Sequence, residues 1–235
     1  MYVRHTLFSA MAAPIKLIYF PVRARAEAIR MCFAHGNVPF EDHSVQSFFD
    51  GKSWPEVKQT LPFDQLPALC IEGKILCQSG ACTRYAAQIA GCVPDDPLEA
   101  AHCDMIFEAA QELAACNPIV NVFRGETFAA KKAEFFSTFP RKLENLSAQL
   151  AARSGPFFCG EVPSYADFAV YHQLDLCQLL EPGCCDAHAN IAPFMAAVEA
   201  LPGVSEYLAR RPVPVDIGTA PVLRPTEPPA QPSSI

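Results

Sequence analysis

Residues 62–80, PFDQLPALCIEGKILCQSG, narrow the possible folds more than any other stretch of this chain. Pro67 has no N–H to give to a ladder, so its natural place is the first residue of a strand, and Ala68-Leu69-Cys70-Ile71 reads as a short buried one. Glu72-Gly73-Lys74 supplies a turn and Ile75-Leu76-Cys77 a returning strand, which makes a hairpin. Ser79 stands where a helical run begins and fits an N-cap, and the free N–H groups and dipole of such a start favour a carboxylate. Gln78 adds a donor and an acceptor beside it. Taken alone, the same run fits any α/β domain with a hairpin and a capped helix.

The flanking pattern decides how that hairpin is used. Residues 16–20 are a β-like run, residues 25–34 place Ile29 and Phe33 four apart as on a helix, and residues 39–45 read as a second strand. Strand, helix and strand make a βαβ unit with a parallel pair and a right-handed crossover. The hairpin completes a four-stranded mixed sheet, and the helix after it ends at Gly91. The order, βαβ then ββα, is thioredoxin-like and occupies residues 15–91. Residues 92–98, CVPDDPL, form a linker, and residues 99–211 read as an all-helical domain. Helical patterns cover 98–123, 127–153, 164–180, 190–201 and 203–209. The expected class is therefore α/β followed by all-α, a thioredoxin-like domain and a helical bundle. Residues 1–14 form an N-terminal extension that imitates a targeting leader in outline, with Arg4 and His5 before an apolar patch too short for a secretory signal. Met11 is an alternative start. From Pro212 the chain turns rich in Pro, Thr and Ser without periodicity, so residues 212–235 are expected to be a disordered tail.

A chain of 235 residues, 51% hydrophobic, can bury a proper core. Its formal charge of -7 argues against binding nucleic acid, which needs a basic stripe. No apolar run reaches the roughly 18 to 20 residues that cross a bilayer, because residues 113–123 are interrupted by Asn117, Pro118 and Asn121. Eleven cysteines include no C-x-x-C pair and are odd in number, which fits a reducing, cytoplasmic home better than a disulfide framework. Cys184-Cys185 with His188 lacks the ligand spacing of a metal cluster, and no metal is expected. Ser164-Tyr165-Ala166-Asp167 reads as a capping-box variant, with Ser164 and Asp167 in structural roles rather than Asp167 as a catalytic acid.

Five ordered motifs together carry a resemblance across residues 15–212. They are Tyr19-Phe20 followed by Arg23-Ala24-Arg25-Ala26-Glu27; Trp54-Pro55-Glu56-Val57-Lys58; Thr60-Leu61-Pro62-Phe63 with Gln65-Leu66-Pro67; Gln78-Ser79; and Ser164-Tyr165-Ala166-Asp167-Phe168. The chain resembles the cytosolic glutathione S-transferases, in the tyrosine-using group of sigma, mu, pi and alpha classes, and is most similar to the sigma class. The resemblance implies a homodimeric detoxification enzyme. Glutathione is its co-substrate, its second substrate is a small hydrophobic electrophile, and no cofactor is permanently bound.

Each position carried over has a chemical reason. Glutathione's thiol is mostly protonated at neutral pH, and Tyr19 can donate its phenolic O–H to the sulfur and favour the thiolate, with Arg25 adding positive charge. Trp54 and Lys58 share one side of a helical turn and suit the glycine end of the tripeptide. A cis Leu66-Pro67 bond, implied by the resemblance, would turn the backbone of Leu66 toward the cysteinyl unit, with Gln65 beside it. Gln78 and Ser79 suit the γ-glutamyl carboxylate. Its amine would meet Glu112 of a second subunit, although Asp104, Glu108 and Glu112 also read as a solvated acidic stripe. Phe20, Val22, Ala114, Ile119, Ala169, His172 and Gln173 are the expected wall of the electrophile pocket, with His172 either a general acid or a partly buried, hydrogen-bonded residue. Two departures stand out: Ala24 and Asp64 each replace a glycine of the pattern, and Asp64 brings a negative charge near a ligand with two carboxylates. A prostaglandin isomerase or peroxidase of sigma type, and a non-catalytic crystallin-like relative, are the competing readings.

Overall fold

The structure is a computed structural model and describes residues 14–226. Most of the expected N-terminal extension, and the last nine residues of the expected tail, lie outside the described residues. Strand β1 (Ile15–Tyr19) pairs in parallel with β2 (Phe40–Ser44) and antiparallel with β3 (Ala68–Ile71), which pairs antiparallel with β4 (Lys74–Cys77). The sheet order is β2-β1-β3-β4. Glu72 and Gly73 both take positive φ between β3 and β4, the backbone that a two-residue hairpin turn needs.

Alternation along β1 separates two apolar layers. Ile15, Leu17 and Tyr19 face helix α1 (Glu27–His35) and helix α4 (Ser79–Ala90), within a core that continues into the helical domain. Ile18 points the other way, into a smaller cluster with Leu61, Ala68 and Cys77. Phe48 and Trp54, from the short helices α2 (Val45–Phe48) and α3 (Trp54–Val57), pack against that cluster.

The helical domain begins at α5 (Pro97–Gln111), whose N-cap Asp96 accepts the N–H groups of Leu98 and Glu99 at 2.9 Å each. One long helix over residues 98–123 does not form. The chain turns over residues 112–115 and restarts as α6 (Cys116–Asn121). Pro118 has no N–H for the carbonyl of Ala114, which instead accepts Asn117 Nδ2 at 2.9 Å. Helices α7 (Gly125–Ala151), α8 (Tyr165–Leu180), α9 (Ile191–Glu199) and α10 (Val204–Arg210) complete the bundle. At Ser164, a capping box starts α8: both Ser164 N and Oγ donate to Asp167 Oδ2 at 2.7 Å, and Phe158 N donates to Oδ1 at 2.8 Å.

The expectation of a disordered tail from residue 212 is corrected by a small antiparallel ribbon, β5 (Val213–Val215) and β6 (Val222–Arg224). Proline content made the segment read as unstructured, yet a two-stranded ribbon is all edge and tolerates Pro214. Docking holds it. Arg23 grips the carbonyl of Pro212 through Nε at 2.8 Å and Nη2 at 2.6 Å, and Gly125 N donates to Gly218 O at 2.8 Å. A Cβ on Gly218 would lie 2.8 Å from the ring of Phe128, so only glycine allows this approach.

The two domains meet around a buried charge network. Glu27, 0% exposed on α1, accepts Arg30 Nη1 at 3.2 Å and Arg211 Nη1 at 2.9 Å. Asp175 on α8 accepts Arg211 at 2.8 Å and Arg23 at 3.2 Å, while Arg30 also pairs with Asp42 at 2.6 Å. Burial alone would push the Glu27 carboxyl up, but the Arg30 and Arg211 guanidiniums hold it at about 2. Its folded value lies below its ordinary one, so this stabilisation is present above about pH 4.5 and is lost as the pH falls toward 2. Removing the carboxylate takes its buried partner from both Arg30 and Arg211 and leaves the network one positive charge in excess. Glu27→Ala is therefore expected to cost about 3 to 5 kcal/mol, read as a lowered urea midpoint at neutral pH, with the difference from the parent shrinking as the pH approaches 2.

Candidate active site

Tyr19 ends β1 on the face toward α1, so its ring is packed and 6% exposed. A 3-10 turn, Ala24–Ala26, then reverses the chain and brings the backbone N–H of Arg25 to the phenol. Burial pushes the Tyr19 pKa up, and the Arg25 amide with the Arg25 and Arg30 charges reverses only part of that. The hydroxyl therefore stays protonated and remains a donor. Ala24, where the family pattern has glycine, takes φ +34°. Arg25 is exposed.

Across the sheet, the Leu66-Pro67 bond is cis at the entry to β3. Helix α4 begins at Ser79, which corrects the expectation of Ser79 as N-cap: Gln78 occupies that position and Ser79 is the first helical residue. The cause is backbone geometry, since Gln78 takes φ 73° and ψ 114°, far from any helical value. A non-glycine residue there is strained, and such strain persists where the surroundings impose it. The shift leaves the N–H of Ser79 among the free donors of the first turn, the next bond being Cys82 N to Gln78 O at 2.9 Å. Gln78 Nε2 donates to Gln65 Oε1 at 3.2 Å, joining the two sides. Phe63 (φ 59°) and Asp64 (φ 51°) precede them in left-handed backbone, so the second substituted glycine is also a strained position.

Trp54 stands edge-on to Phe20 with ring centroids 5.4 Å apart, and Phe20 lies 5.6 Å from Tyr19. An aromatic row thus leads from Tyr19 to α3, whose start is fixed by a Ser53–Glu56 capping box. Lys58 follows on an exposed 3-10 turn.

The expected electrophile-pocket residues separate into three places. Phe20 and Val22 line a cleft of about 320 Å³ together with Tyr19, Tyr207, Arg211 and Leu223. Ala169, His172 and Gln173 border a cavity of about 10 Å³ between the domains, shared with Arg25 and Ser79 and too small for any organic substrate. Ala114 and Ile119 are buried in the core. Gln173 Oε1 accepts Asn117 Nδ2 at 3.3 Å, so its side chain braces α6 against α8. Glu112 caps the end of α5 and is exposed, whereas Asp104 and Glu108 of the acidic stripe both bind Arg84. Sequence reasoning missed Tyr207, Arg211 and Leu223: Tyr207 falls inside the expected helix 203–209, whose pattern does not show what it packs against, and the segment after residue 209 offered no periodicity. A signal did exist in Glu27 and Arg30, two charges on a helix with few solvent-facing positions.

His172 differs from both expectations. It is 1% exposed, and neither ring nitrogen has a partner among the described residues. Burial pushes its pKa down to about 4, aided by Arg211 and Arg23 and opposed by Glu27 and Asp175. A neutral imidazole at pH 7 is no general acid. Its folded value lies below the ordinary 6.5, so the stability it permits is present above that pH and is lost as pH falls toward 4, by up to about 3 kcal/mol. His172→Leu, which removes the titration and strands no hydrogen-bond partner, should flatten the stability profile between pH 6.5 and 4. Urea midpoints across that window check it.

Residues 15–88 match the family model described as Glutathione S-transferase, N-terminal domain, and residues 116–211 match Glutathione S-transferase, C-terminal domain. Hematopoietic prostaglandin D synthase of Homo sapiens is 30% identical over 204 residues, spanning 84% of this chain and 96% of that protein. Glutathione S-transferase 1 of Ascaris suum is 29% identical over 202 residues, with 84% and 96% covered. Among solved structures, rat hPGDS complexed with a quinoline superimposes with a TM-score of 0.73 at 26% identity, over 83% of this chain and 96% of that one. The glutathione S-transferase from Ascaris lumbricoides gives 0.71 at 26% identity, with 84% and 97% covered.

Proposed function

The chain belongs to the glutathione S-transferase family, and on that premise we propose that Tyr19 holds the thiolate of glutathione for attack on small hydrophobic electrophiles bound in the cleft beside it. The observation that carries this reading is the buried, protonated Tyr19 hydroxyl on the wall of the 320 Å³ cleft. Glutathione loses its thiol proton to solvent, and the phenolic O–H donates to the resulting thiolate. The sulfur then forms a bond to the electrophilic carbon, whose leaving group departs or whose π electrons shift to an acceptor atom. A charge-assisted O–H bond stabilises the ionised sulfur, and each pKa unit of lowering corresponds to about 1.4 kcal/mol. Arg25 supplies further positive charge from the adjacent turn.

The tripeptide is assigned to the strained side of the sheet. Ser79 N–H and the start of α4 take the γ-glutamyl carboxylate, and Gln78 and Gln65 flank it. Leu66, before cis Pro67, offers backbone to the cysteinyl unit, while Trp54 and Lys58 take the glycine end. Glu112 of a second subunit meets the amine. A homodimer is supported by Phe63, an apolar ring 74% exposed and held out by left-handed backbone, as a face that a second copy would cover. All eleven cysteines are free thiols, which suits a reducing cytoplasm and a detoxifying enzyme. The likeness to prostaglandin D synthases supports a second, sigma-class reading, in which the same thiolate attacks an endoperoxide oxygen and glutathione is regenerated.

Glutathione-affinity capture followed by conjugation of an aryl halide tests the proposal. Tyr19→Phe should bind glutathione within a few-fold of the parent, while kcat/KM at pH 7 falls about tenfold for each unit by which the thiolate pKa rises. The limb of the pH–rate profile should move to higher pH. A parent that binds no glutathione, or a Tyr19→Phe profile that does not move, overturns the mechanism. Supplying a prostaglandin endoperoxide in place of the aryl halide separates isomerase from transferase. Asp64→Asn removes one charge and keeps the shape, so it should tighten glutathione binding about two- to fivefold at low salt, and less at high salt.

A further inference from the structure

Cys184 and Cys185 lie in the surface segment between α8 and α9, apart from the active site. Successive turns fix them: Cys184 N donates to Glu181 O at 3.1 Å, Asp186 N to Gly183 O at 3.0 Å and His188 N to Cys185 O at 3.1 Å. Gln178 Oε1 accepts Gly183 N at 3.1 Å, and Lys132 holds Glu181 at 2.7 Å. In this frame the two Sγ atoms stand 3.8 Å apart. Cys184 is partly exposed and Cys185 is 4% exposed, within a rim of exposed residues.

That separation chooses between the chemistries open to adjacent thiols. A disulfide needs its sulfurs at about 2.05 Å and its Cα atoms at least about 4.4 Å apart, whereas a trans peptide sets neighbouring Cα atoms about 3.8 Å apart. Direct oxidation therefore demands both a large sulfur movement and a distorted backbone. A single soft atom with a lone pair, bonded to both sulfurs at about 2.3 Å and an angle of about 100°, holds them about 3.5 Å apart. Bridging thus needs a movement of only a few tenths of an ångström. A zinc-type ion also requires three or four protein ligands, and no group of three or more His, Cys, Asp or Glu among the described residues can hold a metal.

We propose that Cys184 and Cys185 form a two-thiol binding site for trivalent arsenicals, compounds whose arsenic carries two exchangeable oxygens and one retained substituent. Two As–O bonds break and two As–S bonds form. The two thiol protons leave on the released oxygens as two waters, and arsenic remains trivalent, so no oxidant is needed. The pair is primed for exchange: the two sulfurs lie within S–H···S hydrogen-bond distance, so the proton of one thiol can ease ionisation of the other. The more exposed sulfur is the thiolate that attacks first, and Cys185 closes the chelate. This site depends on thiol chemistry alone and stands whether or not the transferase mechanism is correct.

Phenylarsine oxide, which hydrates to the dihydroxy form, is the probe for the full chain. Intact mass should show an adduct formed with loss of two waters from that form, reversed by a small dithiol and resistant to glutathione. Cys184→Ser leaves a single thiol and should weaken binding at this site about a hundredfold, the loss expected when two-point attachment becomes one-point. Cys185→Ala should do the same, and circular dichroism with aryl halide conjugation verifies that each variant is folded. Cys177→Ser, a nearby core thiol, should keep the adduct. The proposal is overturned if Cys184→Ser binds at the parent's affinity and stoichiometry, if Cys177→Ser abolishes the adduct, or if glutathione alone strips it.

Discussion

Glu27 is the carboxylate on which the arrangement of this molecule turns. It sits in the first helix with no exposure, and a lone charge there would be excluded from a stable fold. Three arginines from separated parts of the chain and two further acids answer it, so that Arg23, Arg30 and Arg211 balance Glu27, Asp42 and Asp175. Such a network adds little net stability over an apolar substitute, but its geometry is unforgiving. It fixes how the end of α10 meets α1, and so where the terminal ribbon lies. The cleft beside Tyr19 takes one wall from each side of that junction. Positioning of the cleft walls is thus a matter of charge pairing rather than of shape alone.

Much of the architecture was legible in the residues because local and global preferences agree. Pro67, Gly73 and Gly91 punctuate the ββα half, and a period near 3.6 marks the bundle. The failures have definite causes. Pro118 interrupts a helical pattern that the surrounding alanines and leucines would otherwise continue. The ribbon after residue 212 forms through Arg23 and through the fit of Gly218 against Phe128, neither of which leaves a local trace. Tyr19, Gln65, Leu66-Pro67 and Gln78, picked out through motif order, lie around one end of the sheet. The proposed electrophile wall was less readable. Ala114 and Ile119 look small and apolar in the same way whether they line a cleft or fill a core.

Backbone strain gathers at the turns that lead into α1, β3 and α4. Ala24, Phe63, Asp64 and Gln78 all take positive φ, at a cost of roughly 1 to 3 kcal/mol for each residue so held. Two of them stand where the family pattern has glycine, a residue that adopts this backbone freely. Alanine and aspartate are there held in backbone that suits glycine better. Retaining shape against local preference is what a binding site requires and a simple linker does not.

The span of the Glu27–Arg211 bond, 184 residues, bears on how the protein is made. During synthesis the first domain emerges with its sheet and helices complete in sequence, yet its buried carboxylate has only Arg30 as a direct hydrogen-bond partner until Arg211, just past the last helix, leaves the ribosome. Non-local closure of this kind comes late. The half that resembles an independent thioredoxin-like unit is then the half left waiting, and the cleft beside Tyr19 is among the last parts of the molecule to exist.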